Sequence, residues 1–256
     1  MELKCNPEVA AHLKSGSQMT RAITENWFER EAYCLACTSK HLQATRPGTP
    51  FTDFFCPNCA QPYELKSAAR MHGDIVTDGG YDSMMRKIHE VQAPALMLAH
   101  YSPQWCIEGL LAIHPVFLIP EVVRKRGKPH IRPKSGKEYW MCDLNLVFVP
   151  QDGRIPLVNN GVVSPSSKVR QLYKESIRFG ELSSNKRGWA ALVLAAVRKI
   201  GKAEFRLDEV YVFEAEMHAA YPQNSHVRDK IRQQMQVLRD LGYVEFVGRG
   251  EYAVVR

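Results

Sequence analysis

Four cysteines constrain this chain more than any other feature. Two residues lie between Cys34 and Cys37, two between Cys56 and Cys59, and eighteen between the two pairs. Tetrahedral zinc takes four soft ligands, and each CxxC turn offers a chelating pair with backbone amides close to the sulfurs. The spacing lies within the zinc-ribbon range. Seven cysteines are present, and the other three, Cys5, Cys106 and Cys142, read as isolated thiols. An odd count with two close pairs argues for metal over disulfides in a reducing compartment. The expected Zn²⁺ is structural, because four-cysteine sites are normally closed to substrate. Buried thiols or a redox pair are the bland alternative.

The chain has 256 residues, long for one core, which suggests one large domain or two unequal ones. We expect two, spanning 1–182 and 183–256. With 45% hydrophobic and 24% charged residues the composition is that of a globular protein rather than a disordered one. No apolar run approaches the roughly 18 to 20 residues of a membrane helix, and the first ten residues carry no secretory apolar segment. A cytoplasmic protein is therefore expected. The net charge of +7 is concentrated: Val122 to Lys137 holds seven basic residues and no acidic ones, leaving the remainder balanced at 27 against 27. Arg124, Lys125 and Arg126 begin that segment, which reads as a phosphate-tracking loop.

Helical spacing predicts a helix over 17–30 with Ser17 as N-cap, and another from Tyr81 to Val91. Glu64 to Ser67, Ala93 to His100 and Ile107 to Ile119 read as strands, the last two buried, and 145–150 as another. A Gly-rich loop is expected between the first strand and the second helix. This is an α/β pattern around a mixed sheet. Polar residues 162–187 read as the boundary region. Beyond it come a helix over 188–200, a short extended piece, a helix over 208–220, and a third helix to Leu241 with Val227, Ile231, Met235 and Leu238 on one apolar stripe. Two short strands joined at Gly248-Arg249-Gly250 complete the order of a winged helix. In such domains the third helix enters the major groove and the hairpin touches the backbone. Opposite the stripe stand Arg228, Arg232, Gln233 and Gln236, where Gln can address adenine and Arg guanine or phosphate. The plain alternative is a solvated face.

A second constellation is Asp53, then Glu64-Leu65-Lys66. On a strand, residues two apart share a face, so Glu64 and Lys66 project together. Two carboxylates to hold Mg²⁺ and a lysine to orient or deprotonate water suit phosphodiester hydrolysis. Alone, such a string is more often a surface ion pair. Here the second CxxC lies between Asp53 and Glu64, so a zinc ion would clamp the turn joining the two metal-binding strands.

The runs Thr52 to Cys59, Tyr63 to Ser67, Thr77 to Tyr81, Met84 to Lys87, Ser183 to Trp189 and Val227 to Gly250 together resemble the DpnI family of methyl-directed restriction endonucleases. The resemblance implies a PD-(D/E)xK nuclease domain with an inserted zinc site, followed by a winged helix. It implies that both modules read double-stranded DNA methylated on adenine at GATC, and that Mg²⁺-dependent cleavage leaves a 5′-phosphate. By position, Asp53 and Glu64 become metal ligands with the main-chain carbonyl of Leu65, and Lys66 the water-activating residue. The proline that names the motif is absent: Thr52 precedes Asp53, and the nearest proline is Pro50. By the resemblance, Trp140 corresponds to a tryptophan in the part of the nuclease domain that meets the methylated bases, which implies a base-contacting or wedge role, although burial statistics alone favour a core tryptophan. The free protein is expected to be a monomer. Competing readings are a non-catalytic zinc-ribbon and winged-helix regulator, and a nuclease of the same fold with another modified target.

Overall fold

The computed structural model describes residues 1–46, 48–49, 52–89 and 93–255. Pro50 and positions 90 and 91 lie outside the described residues. The first helix, α1 (Gly16–Glu31), starts after Ser15, two residues before the expected cap, and buries Ile23, Thr24, Trp27 and Phe28 along one face. Then come β1 (Gln43–Ala44), β2 (Phe54–Phe55), β3 (Pro62–Ala68), β4 (Ile75–Gly80), α2 (Tyr81–His89), β5 (Ala95–Tyr101), β6 (Ile107–Ile113), β7 (Val123–Ile131), β8 (Glu138–Asn145), β9 (Arg154–Asn159) and β10 (Val162–Val163). The chain ends with α3 (Ser166–Ser176), α4 (Ser184–Ile200), β11 (Glu204–Arg206), α5 (Leu207–Tyr211), α6 (Glu214–Ala220), α7 (Val227–Asp240), β12 (Val244–Gly248) and β13 (Glu251–Val254).

The expected mixed α/β sheet is present. Seven strands run in the order β1-β2-β3-β5-β6-β9-β10. β3 and β5 pair in parallel, with Glu64 opposite Leu96 and Lys66 opposite Leu98, and the other neighbours are antiparallel. A separate three-stranded antiparallel sheet, β4-β8-β7, lies beside it, and a third, β11-β13-β12, forms the C-terminal wing.

Strand alternation divides the large sheet between two cores. On β5, Ala95, Met97, Ala99 and Tyr101 join Trp27, Phe28, Phe54 and Tyr63 in the core beneath α1. Leu96 and Leu98 face the opposite way, into a core shared with Met84, Ile88 and Leu144. That second core continues without a break into Trp189, Val193, Ile231, Met235 and Leu238 of α4 and α7. The stripe read on the third helix is thus buried, and Gly242, at φ 76°, ends the segment in the left-handed region as a C′ glycine does. Gly153 is needed for a close approach: a Cβ there would overlap the Phe117 ring. Among the described residues no helix is long and apolar enough to cross a membrane.

Several expected elements are corrected. The basic segment is not a loop throughout: residues 123–131 form β7, paired with β8 from Val123 opposite Leu144 onward, and residues 132–137 make the turn between the two strands. Only Val123 of its nine residues is buried, so no apolar alternation marked it as a strand. The Gly-rich loop is β4, whose Ile75, Val76 and Thr77 pair with β8 before a bulge at Asp78 to Gly80. The strand expected at 145–150 ends at Asn145 and gives way to a 3₁₀ turn over Leu146–Phe148. The polar stretch 162–187 contains α3, which buries Val169, Tyr173 and Ser176 at spacings of four and three beneath a polar exterior. The helix expected over 208–220 breaks at Val212 and Phe213 into α5 and α6.

Candidate active site and nucleic-acid interface

Residues 56–61 join β2 to β3. Cys56 N donates to the Gln61 carbonyl and Ala60 N to the Cys56 carbonyl, closing a tight turn in which Ala60 has φ 59°. The Sγ atoms of Cys34, Cys37, Cys56 and Cys59 all lie within 4.8 Å of one another, in a geometry that can hold a metal ion. The Cys34–Cys59 and Cys37–Cys56 sulfurs are 3.5 and 3.6 Å apart, far beyond a disulfide, and all seven cysteines are free thiols. Burial opposes ionisation of Cys56, but the amides of Cys59 and Asn58 outweigh it and bring its pKa down to about 6. A thiol poised as thiolate is what a metal takes. Tyr63 ties this cluster to β3: its hydroxyl is 3.2 Å from Cys34 Sγ and accepts from Leu35 N at 2.8 Å.

The hairpin carries the second constellation. Asp53 N donates to the Tyr63 carbonyl just ahead of β2, and Leu65 N donates to Asp53 Oδ2 at 2.9 Å. Leu65 therefore meets Asp53 through its amide. Glu64 and Lys66 share one side of β3 as expected, with Lys66 Nζ 2.7 Å from Glu64 Oε1. Sequence reasoning assigned no role to a third carboxylate, Asp78 on β4, whose Oδ1 is also 2.7 Å from Lys66 Nζ. Its only signal was its place between β-branched residues and glycines, which read as a loop. These groups line a cleft of about 990 Å³ together with Arg21, Glu25, His72 and Tyr101.

The electrostatics follow from burial. Glu64 is 5% exposed, and desolvation, then the neighbouring Asp78 carboxylate, push its carboxyl up to about 8. Desolvation disfavours the Lys66 ammonium, but Glu64 and Asp78 outweigh it and hold its pKa above the usual lysine range. Glu64 Oε2 and Asp78 Oδ2 are buried and meet no hydrogen-bond partner among the described residues. An orphaned carboxylate oxygen in a cleft that Asp53 also lines is a donor set that suits a hard dication such as Mg²⁺. The carboxylates are not gathered as closely as the thiolates: among the described residues, the cysteines form the one group of three or more candidate ligands within 4.8 Å. Two carboxylates suffice for an ion that keeps its waters and binds substrate phosphate.

The candidate DNA-contact residues fall in two places. On β7, Arg124 and Lys125 are exposed, and Arg126 lies 3.5 Å from Asp143. Arg124 sits over the Phe148 ring, and Lys125 Nζ lies 5.2 Å from the centroids of both Tyr81 and Trp140. Trp140 on β8 is half-buried rather than a core tryptophan. In the C-terminal unit Arg228, Arg232, Gln233, Gln236 and Arg249 are all exposed. Arg228 pairs with Glu214 at 2.8 Å, Arg232 donates to the Tyr211 hydroxyl at 2.8 Å, and Gln233 accepts from Lys230 at 2.9 Å. Arg249 occupies the wing turn.

Two family models match this chain. The DpnI model, described as the Dam-replacing family, covers residues 1–181, and the Dam-replacing HTH domain covers residues 185–254. The first spans both the cysteine cluster and the cleft, and the second spans α7 and the wing. The chain is therefore a member of the DpnI, Dam-replacing, family of restriction endonucleases, and it carries that family's DNA-binding helix-turn-helix domain in the form of a winged helix.

Proposed function

We propose that this protein is a Mg²⁺-dependent endonuclease that cuts double-stranded DNA at adenine-methylated GATC. In this reading residues 1–182 form the nuclease domain and 183–256 the winged helix, and the free protein is a cytoplasmic monomer. The observation that carries it is the meeting of Asp53, Glu64 and Lys66 in one cleft on a cysteine-clamped hairpin, within a chain of the DpnI family.

Asp53, Glu64 and the Leu65 carbonyl would hold the ion. Bound there, Mg²⁺ supplies Lewis-acid stabilisation of charge on the phosphate. Lys66, kept charged by its carboxylate neighbours, orients the attacking water, whose oxygen bonds to phosphorus as the P–O3′ bond breaks; the water gives up a proton to solvent, the departing 3′-oxygen takes one up as the 3′-hydroxyl, and the 5′-phosphate remains. The four cysteines would hold a structural Zn²⁺, fixing the turn between Asp53 and Glu64. Arg124, Lys125 and Arg126 contact phosphates, Trp140 lies toward the bases, and α7 with Arg228, Arg232, Gln233 and Gln236 enters the major groove while Arg249 on the wing meets the backbone. Each adenine methyl adds apolar contact worth roughly 1 to 3 kcal/mol in a fitted pocket, so reading through both domains compounds the discrimination.

Lys66→Ala tests the chemistry. It is expected to abolish cleavage while leaving methylated-DNA binding, measured in Ca²⁺ by fluorescence anisotropy, largely intact. Cleavage that survives the substitution, or that persists in EDTA, contradicts the proposal.

A further inference from the structure

Asp78 sits where the three-stranded β4-β8-β7 sheet meets the seven-stranded sheet. Its side chain is fully buried, and Oδ1 is 2.7 Å from both Lys66 Nζ and the Gly79 amide. A buried carboxylate persists only when it is paired and hydrogen-bonded, and Lys66 is the only side-chain cation with which Asp78 forms an ion pair among the described residues. Lys66 in turn is held from two sides, by Glu64 of its own strand and by Asp78 from a different sheet. A lysine ammonium on a four-carbon stem has many rotamers, and two fixed acceptors leave it one place.

The strand register gives this contact a reach beyond the cleft. Asp78 is opposite Cys142 on β8, and Cys142 is opposite Lys125 on β7. Residues directly opposite across antiparallel strands share a face, so Asp78, Cys142 and Lys125 form one transverse row. Lys125 ends that row against Tyr81 and Trp140. The sheet that carries the basic strand is thereby bonded, through Asp78, to the lysine on the catalytic strand.

We propose that Asp78 is a positioning residue for hydrolysis: it fixes the Lys66 ammonium beside Glu64 and couples that placement to the β4-β8-β7 sheet that faces DNA. This rests on the endonuclease reading above. Asp78→Asn keeps the shape and the Gly79 contact but removes the charge that holds Lys66. It is expected to slow single-turnover cleavage of saturating methylated DNA about 10- to 100-fold, the usual loss for a partner that orients an active group. DNA affinity in Ca²⁺ is expected to stay within about twofold, as follows for a group that acts only through another.

A double-mutant cycle separates positioning from general destabilisation. Asp78→Asn and Lys66→Met each strand a buried group, so their losses in melting temperature are expected to be non-additive, with the double variant more stable than the sum predicts. An active wild type with an unimpaired Asp78→Asn rate overturns the positioning role, and so do strictly additive losses. A rate loss matched by an equal loss of affinity makes Asp78 structural and likewise overturns it. A wild type that cuts no DNA overturns the endonuclease reading itself, while the cycle still reports whether the Asp78–Lys66 pairing exists.

Discussion

Tyr63 shows how one side chain serves two features that looked separate in the sequence. It precedes Glu64 on β3, so it points away from the cleft, and its hydroxyl caps the Leu35 amide beside Cys34. Tyr63→Phe leaves that buried amide without an acceptor, a loss of about 1 to 3 kcal/mol that urea denaturation should detect. His114 gives a second residue-scale test. It is 3% exposed, its Nδ1 accepts from Val116 N, and burial depresses its pKa from 6.5 to about 3. The folded state resists the proton that the unfolded chain accepts below 6.5, so stability falls as pH drops below that value. Relative to His114→Phe, the native protein should lose up to about 1.4 kcal/mol per pH unit between 6.5 and 4.5, measured by chemical denaturation at each pH. At this scale the placement of Asp53 ahead of the hairpin and of Glu64 and Lys66 on one side of β3 was legible, because hairpin and strand geometry follow from spacing. Asp78 was not, because its partner lies across a sheet boundary that no local pattern encodes.

Among the elements, β7 places four of the seven basic residues of this segment, Arg124, Lys125, Arg126 and Lys128, on an exposed strand, and Arg132, Lys134 and Lys137 follow in the turn to β8. A strand separates its side chains by face: Arg124 and Arg126 lie on one side and Lys125 on the other, against Tyr81 and Trp140. Replacing all three by glutamine should weaken binding to any DNA and flatten its salt dependence. The slope of log K against log salt should fall by about 0.9 for each phosphate no longer neutralised. The reduction should be smaller than three phosphates' worth, because Arg126 is shared with Asp143. Methyl preference should persist in salt-titrated binding to methylated and unmethylated duplexes, and its disappearance at unchanged affinity would assign base reading to the strand. The winged-helix elements were legible because their apolar stripe and glycine turn follow helix and hairpin periods. Strand β7 and helix α3 were not, because one has no apolar alternation and the other hides three buried residues under a polar run.

For the whole molecule the telling feature is the continuous core that joins the large sheet to α4 and α7. It is reinforced by Arg198 of α4, which makes two hydrogen bonds to Asp152 at 2.8 and 2.6 Å with both side chains mostly buried. Asp152→Ala strands a buried guanidinium and should cost about 3 to 5 kcal/mol, read as a shifted but still single unfolding transition. Two separate transitions would show that the units fold independently. The sequence announced two units by composition and by motif, but the shared core was illegible because it depends on which apolar faces meet. That arrangement packs the winged helix against the large sheet, as the proposed reading of one duplex by both units requires. The most direct test is to digest one plasmid, prepared from adenine-methylating and from non-methylating hosts, with purified protein and Mg²⁺, and to map the ends by sequencing. Cleavage confined to the methylated plasmid, with every end at GATC, is the predicted result. Equal cutting of both plasmids, or cutting of neither, would contradict it.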